Sequence, residues 1–238
     1  MRLARRKEHW KRFGAWRTIY GLALDALEKA IDLHVFRVNR SPHTAGEELP
    51  AEIAQRFEFR VLTDDEVRRF ARDPNLEMTP AFADESLARG HYCFGVLCGD
   101  QLAAYDWRGL GRPVPLSSDL DVHYAYPGQV YGFAMYTRPE FRGLRLQFYN
   151  VHRADARLLA EGHTHTVGYV ALQNFASVRN LSRLKGQVFV GLAGYLRIFG
   201  HYVTFRSPGT RRYGFRIARS NHNGPSTPRR FVTRSLPG

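Results

Sequence analysis

The chain has little cysteine and no long apolar run, and each absence narrows the class of protein. Only two cysteines, Cys93 and Cys98, occur among the 238 residues, and their spacing fits neither a zinc-binding pattern nor a CxxC redox motif. We therefore expect no disulfide framework and a cytoplasmic location. No stretch approaches the roughly 18 to 20 apolar residues of a membrane span, and the basic N-terminus lacks the features of a signal peptide.

Several catalytic and metal-binding signatures are also missing. The sequence contains no GxSxG motif, no P-loop and no dinucleotide fingerprint. His163 and His165 place two imidazoles close together, but no third ligand accompanies them, so we expect no metal site.

Acidic residues are scarce at both ends of the chain, whose net charge is +13. Residues 1–20 hold seven basic residues and one acidic residue, and residues 205–238 hold eight arginines and no acid. Such ends are typical of attraction to nucleic acid, acidic lipid or a phosphorylated cofactor. They are equally typical of tails that only keep a protein in solution.

Residues 1–38 are predicted to form a basic amphipathic helix, because apolar residues recur at three- and four-residue spacing from Trp10 to Ile31. This apolar face could pack on the rest of the chain, pack on a second subunit of a homodimer, or lie in a membrane interface. The rest is predicted as a linker over 39–56, a mixed α/β domain over 57–219, and a basic flexible tail over 220–238.

Within the predicted domain, alternation and capping signals give the element order β-α-α-β-β-β-α-β-α-β-β. The predicted strands and helices are strand 57–62, helices 64–72 and 79–89, strands 91–97 and 101–107, loop 109–128, strand 129–137, helix 141–161, strand 166–172, helix 175–185, and strands 188–195 and 201–206.

The segment from Tyr136 to Gln147 carries the strongest chemical signal. A strand runs into Pro139, then into a turn that holds Arg142 and Gly143, and then directly into a long helix. The N–H groups at a helix start are unpaired and lie at the positive end of the helix dipole, so they form an anion site.

In its wider context this segment resembles the GNAT acetyltransferase superfamily. The chain reads T-R-P-E-F-R-G-L-R-L-Q, then G-Y-V-A-L-Q-N-F-A-S, then R-L-K-G. The resemblance implies an α/β fold with a central mixed twisted sheet, flanked by helices and splayed where strands 129–137 and 167–172 separate. It implies an acyltransferase that moves an acetyl or longer acyl group from acetyl-CoA or another acyl-CoA to an amine of a small molecule or peptide.

The resemblance also implies roles for particular residues. The turn and first helical turn would hold the cofactor pyrophosphate, and Asn174, with Ser177 beside it, would contact the pantetheine arm. The residues of the implied pyrophosphate loop are Arg142, Gly143, Leu144, Arg145, Leu146 and Gln147.

The chain departs from the family pattern at Arg145 and Gln147, where glycine is usual. Glycine lets the backbone approach a phosphate without a Cβ in the way. Two interpretations follow: Arg145 adds a phosphate contact, or the loop accepts a donor without a nucleotide at this point, such as an acyl carrier protein.

The family's catalytic residues are not matched either, since Ser182 stands near the position of the usual tyrosine and the strand 129–137 lacks a glutamate. Our candidates for proton transfer are Asp106 at a strand end, His123 and Asp121 in the long loop, and Tyr136 on the strand. Ordinary structural roles compete with each assignment. A second hypothesis is a catalytically inactive GNAT-like module that binds an anionic polymer or membrane surface through its basic ends.

Overall fold

The computed structural model describes residues 31–44, 50–117, 119–124, 128–175, 177, 178 and 186–220, with Trp16, Ile19, Tyr20 and Ala23. The chain divides into two compact units, and the region predicted as one domain contributes to both. The first unit comprises residues 1–39, 115–123 and 169–238, and the second comprises 40–114 and 124–168.

The described residues form a mixture of strands and helices, as expected for a mixed α/β protein. The strands are β1 (Leu33–Pro42), β2 (Glu58–Val61), β3 (Tyr92–Cys98), β4 (Gln101–Gly109), β5 (Val114–Pro115), β6 (Leu120–His123), β7 (Gln129–Thr137), β8 (His165–Ala171), β9 (Val188–Ile198), β10 (His201–Arg206) and β11 (Arg216–Arg219). The helices are α1 (Ala51–Arg56), α2 (Asp64–Phe70), α3 (Pro80–Ala88), α4 (Leu146–Ala160) and α5 (Pro208–Arg212), with a 3₁₀ turn at Pro139–Phe141.

The second unit contains a mixed sheet in the order β8-β7-β4-β3-β2. The pairs β2/β3, β3/β4 and β4/β7 are antiparallel, whereas β7 and β8 run parallel. Helix α4 packs against β2, β3, β4 and β7. This arrangement confirms the predicted fold class, a mixed α/β sheet flanked by helices.

Helices α2 and α3 begin at the capping residues that the sequence offers. The Thr63 side chain accepts a hydrogen bond from the Glu66 backbone N–H, and the Glu66 carboxylate accepts one from the Thr63 backbone N–H, which forms a capping box. The Thr79 side chain caps the start of α3 in the same way, ahead of Pro80. Their apolar faces then join one buried core, which also contains Trp107.

The first unit contains two antiparallel pairings. Strands β9 and β10 form a hairpin in which His201 pairs with Ile198. Strands β6 and β11 pair with Arg216 opposite His123. The short helix α5 packs against β9, and β11 contacts both β9 and β10.

The structure corrects three predictions. Strand β1 occupies residues 33–42, so the helix predicted over 1–38 cannot reach residue 38, and the linker predicted over 39–56 contains the end of β1 and all of α1. The reason for β1 is its alternation, since Phe36 and Val38 are buried on one face. Strands β5 and β6 also lie inside the predicted loop 109–128.

Other predictions fall outside the described residues. These are most of the N-terminal helix, most of the helix predicted over 175–185, and the tail beyond Ser220. None of the described helices is long and apolar enough to cross a membrane.

Candidate functional site

A bulge in β7 marks the start of the candidate site. Tyr105 pairs with Tyr136 and Trp107 pairs with Phe133, so β7 has one residue more than β4 between these pairs. Ala134 lies in this bulge with a φ of 48°. A bulge of this kind bends its strand and re-aims the backbone groups beside it.

The two parallel strands separate just before the bulge. Pairing between β7 and β8 ends at Gly132 and Gly168, although β7 continues to Thr137. This separation is the splay that the resemblance led us to expect. It leaves the last part of β7 beyond the end of its ladder with β8.

Arg138 fixes the point at which β7 ends. Its side chain is buried, its Nε donates to the Leu102 carbonyl at 2.7 Å, and its guanidinium forms an ion pair with Asp73. This contact lowers the pKa of the Asp73 carboxyl, because the hydrogen bonds from Arg138 and from the Asn75 backbone stabilise its charged form. The start of the turn is therefore anchored to two neighbouring segments of the second unit.

The turn itself uses two left-handed residues. Gly143 has a φ of 87°, and the position of an added Cβ would meet nothing within 4 Å. Arg145 has a φ of 58° and is the N-cap of α4. The N-cap side chain makes no capping hydrogen bond, and the first turn of α4 holds no acidic residue. The N–H groups at this end therefore keep the positive potential of the helix dipole.

The two departures from the family pattern have side chains directed to other partners. Gln147 Nε2 donates to the Tyr105 carbonyl at 3.3 Å, and Gln147 Oε1 accepts from Thr137 at 3.4 Å. The Arg145 guanidinium lies 4.3 Å from the centre of the Phe148 ring. Gln147 is thus directed to the sheet, and Arg145 lies along the helix.

Arg142 is joined to the strand that precedes it. Its Nε donates to the Thr137 carbonyl at 3.2 Å, and its side chain is half-buried. A guanidinium has five N–H donors, so this bond still allows a charge-assisted contact with an anion. Of the predicted loop residues, Leu146 is buried and Leu144 packs against the cluster that contains it.

Asn174 and Ser177 lie in the first unit, whereas the loop lies in the second. The Asn174 side chain accepts a hydrogen bond from the Ser177 backbone at 3.1 Å. This is the geometry of a helix N-cap. The implied contact of Asn174 with a pantetheine arm stays a prediction.

Asp106 is fully buried, and its neighbours were not predicted from the sequence. Its carboxylate lies 2.6 Å from Arg108 Nη2, and Arg108 also lies 3.9 Å from Asp155. Arg108 Nη1 donates to the Thr166 hydroxyl at 2.7 Å. A single guanidinium thus faces two buried carboxyl groups, and we call Asp106, Arg108, Asp155, His43 and Thr166 the buried polar cluster.

The hydrogen bonds of this cluster define the state of His43. Its Nδ1 lies 2.8 Å from the His163 carbonyl, which can only accept, so Nδ1 carries the proton. Its Nε2 lies 2.8 Å from the Thr166 hydroxyl and accepts from it. Burial, together with the charge of Arg108, lowers the pKa of His43 to about 4, so the ring is neutral.

Both carboxyl groups of the buried polar cluster have a raised pKa. Burial raises the pKa of Asp155 to about 7, although Arg108 opposes the shift. Burial also raises the pKa of Asp106, against the opposing charge of Arg108. Because Asp106 is fully buried, it is in no position to touch a substrate amine directly.

Two other proton-transfer candidates have defined partners. The Tyr136 hydroxyl donates to the Asn75 carbonyl at 2.8 Å, and burial raises the pKa of Tyr136. His123 lies at the end of β6 in the first unit, opposite Arg216. Asp106 and Tyr136 lie in the second unit, where they bond to different partners, and His123 lies in the first.

The fold and this loop define a mixed α/β protein with an uncapped, basic helix start. No protein-family model and no curated protein matches the chain. Among solved structures, it is similar to a GNAT-family protein from Novosphingobium aromaticivorans, with 15% identity, a TM-score of 0.48, and coverage of 69% of this chain and 63% of the other.

Two further structures are similar at the same level. A Drosophila protein has 14% identity and a TM-score of 0.49, and the match covers 79% of this chain and 58% of the Drosophila chain. A Salmonella typhimurium protein solved with its cofactor acetyl-CoA has 15% identity and a TM-score of 0.38. The match covers 71% of this chain and 97% of the Salmonella chain. The chain thus spans about three fifths of the first two structures. Likeness at this level assigns no activity to the chain.

Proposed function

We propose that the chain is an acyltransferase that moves an acetyl or longer acyl group from coenzyme A to an amine of a small molecule or peptide. The observation that carries the proposal is the start of α4. There a left-handed glycine, the half-buried Arg142 and uncapped N–H groups lie together, without an acidic side chain in the first helical turn.

These residues fit a pyrophosphate by their chemistry. Backbone N–H groups at a helix start favour an anion, and Arg142 adds positive charge beside them. Gly143 leaves open space at its Cβ position, so the backbone is approachable. Gln147 does not obstruct the turn, because its side chain is bonded to Tyr105 and Thr137. The coenzyme supplies the thioester, which activates the acyl carbonyl toward an amine.

The chain's own part in the reaction is to bind and orient. We assign the N–H groups of β7 beyond Gly132 to the acyl carbonyl, because this segment bends at the bulge and has left its ladder with β8. Donors held in place where negative charge develops lower the barrier to attack. Direct attack by the amine needs no covalent enzyme intermediate.

Asp106 and Tyr136 are positioning residues in this proposal. Asp106 lies in β4 at the bulge and holds Arg108, which in turn bonds to Thr166 on β8. Tyr136 lies one residue before the end of β7 and ties it to Asn75. Both therefore support the geometry of the splay between β7 and β8. His123 stays a candidate for proton transfer.

The experiment is a calorimetric titration of the whole chain with acetyl-CoA and with CoA, followed by an assay of CoA release with a panel of primary amines. We expect acetyl-CoA and CoA to bind. We also expect CoA to be released from acetyl-CoA only when a suitable amine is present. Absence of binding of both at about millimolar concentration would contradict a CoA donor. Transfer from an acyl carrier protein without CoA binding would support the alternative donor.

A further inference from the structure

The first unit holds a concave surface at β10, β11 and α5, with a volume of about 410 Å³. Four arginines line it, and no acidic residue is among the described residues that do so. They are Arg206, Arg211, Arg216 and Arg219. We call this surface the arginine cavity.

The arginines come from three elements that the fold brings together. Arg206 ends β10, Arg211 lies in the last turn of α5, and Arg216 and Arg219 begin and end β11. Arg206 Nη1 donates to the Phe215 carbonyl at 3.2 Å, which holds this guanidinium beside the start of β11. Arg211, Arg216 and Arg219 have no carboxylate partner among the described residues, and all three are exposed.

Two carboxylates lie on neighbouring residues, and neither lines the cavity. Asp119 accepts a hydrogen bond from the Tyr202 hydroxyl at 3.0 Å. Asp121 is buried in β6, opposite Ala218 of β11. The positive charge of the cavity is therefore not balanced by an acid among its described lining residues.

We propose that the arginine cavity binds a nucleotide-sized organic phosphate. Four guanidinium groups gathered in one concavity repel each other, and a multiply charged anion relieves this repulsion. The planar guanidinium matches phosphate oxygens with two parallel N–H bonds. The volume is within the usual range of small-molecule sites, and Tyr202, Phe205 and Ile217 provide apolar surface for the organic part.

This inference does not depend on the proposed acyl transfer. The arginine cavity and the loop at Gly143 share no residue and lie in different units. Failure of one proposal therefore leaves the other standing, provided that the binding experiment separates the two sites.

The test is a titration of the full chain with ADP, with inorganic phosphate and with a single-stranded oligonucleotide, at about 0.1 M salt. We expect ADP to bind more tightly than inorganic phosphate. Arg211→Gln and Arg216→Gln should each weaken ADP binding about tenfold, as loss of one charge-assisted contact predicts. The matched control is Arg212→Gln, on the same helix and exposed but outside the cavity lining. It should change ADP binding less than about twofold.

ADP carries the pyrophosphate that the loop of the second unit is proposed to hold, so the arginine variants are also titrated in the Arg142→Ala background. There Arg211→Gln and Arg216→Gln should still weaken ADP binding about tenfold. Equal weakening by Arg212→Gln and Arg211→Gln would overturn the proposal, because it would indicate diffuse charge attraction. Complete loss of ADP binding in Arg142→Ala, no further weakening when Arg211→Gln is added to it, or no ADP binding by the parent would also overturn it. The oligonucleotide could instead bind much more tightly than ADP, with each arginine substitution weakening its binding equally. That result would overturn the proposal and indicate a surface that binds an anionic polymer.

Discussion

The guanidinium of Arg145 lies 4.3 Å from the centre of the Phe148 ring, three residues further along α4. The stacking holds the side chain of a residue whose backbone is left-handed. A non-glycine residue in this conformation costs roughly 1–2 kcal/mol, and a cation–π contact at an exposed site returns about 0.5–1 kcal/mol. Arg145 therefore occupies a position that favours glycine and offsets part of the cost through Phe148.

Arg145→Gly and Arg145→Ala separate these two contributions. Both variants lose the contact with Phe148, but only glycine removes the backbone strain. We expect Arg145→Gly to be more stable than Arg145→Ala by about 1 kcal/mol in urea unfolding. Equal stability of the two variants would mean that the left-handed backbone at Arg145 carries no cost.

Loss of the Tyr136 hydroxyl tests its positioning role. Tyr136→Phe removes the hydrogen bond to the Asn75 carbonyl and should lower the free energy of unfolding by about 1 kcal/mol. In the amine-transfer assay, we expect KM to change more than kcat. A fall in kcat of a hundredfold or more, with an altered pH profile, would instead indicate that the hydroxyl donates a proton in the reaction.

The buried polar cluster should make stability depend on pH. Because the pKa of Asp155 is raised to about 7, its contribution to stability is fully present below its unfolded pKa and is lost as pH rises through about 7. Asp155→Asn removes this loss. Relative to the parent, the variant should therefore gain stability as pH rises from 5 to 8, by at most about 1.4 kcal/mol per pH unit.

The measurement is the urea midpoint of the parent and of Asp155→Asn across this range. Asp65→Asn, at a fully exposed side chain, is the control and should give a curve parallel to that of the parent. His43 has the opposite effect on the pH dependence of stability. Because its pKa is lowered, its contribution to the free energy of unfolding is lost as pH falls through about 4. A constant difference between the parent and Asp155→Asn from pH 5 to 8 would contradict a raised pKa at this carboxyl.

The sequence predicted those features that arise from nearby residues. The β3–β4 hairpin follows from two strand-forming runs joined by Cys98, Gly99 and Asp100. The strand–turn–helix junction follows from Pro139, Gly143 and the apolar face of α4. Local patterns also led to the error at β1. The helical spacing of apolar residues from Trp10 to Ile31 was extended to residue 38, although the next segment has the short alternation of a strand.

The buried polar cluster could not be predicted in this way. His43 and Thr166 are 123 residues apart in sequence, and only the pairing of distant strands brings them together. One signal was present: Asp155 and His152 are polar residues among the buried positions of α4. A carboxyl on such a face needs a buried partner, but the sequence does not say that the partner is Arg108. Side-chain directions at Arg145 and Gln147 were equally hidden.

Arg142 tests the charge of the loop. Arg142→Ala should weaken binding of CoA by about tenfold or more, since a charge-assisted contact contributes about 1.5–3 kcal/mol. The melting temperature should shift little, because Arg142 is only half-buried in the turn and its Nε bonds to the Thr137 backbone carbonyl. Arg153→Ala, on α4 beyond the loop and exposed, is the control. Equal weakening in both variants would indicate general charge attraction rather than a contact at the loop.

The most direct test of the loop as the coenzyme site compares two glycines at the two ends of α4. Gly143 and Gly162 both have a φ of 87°, and an added Cβ would meet nothing within 4 Å at either. Gly143→Ala and Gly162→Ala should therefore destabilise the chain by a similar amount, about 1–2 kcal/mol. Calorimetric titration with acetyl-CoA should show binding weakened at least tenfold in Gly143→Ala and unchanged in Gly162→Ala. Equal affinity of the two variants for acetyl-CoA would contradict the account.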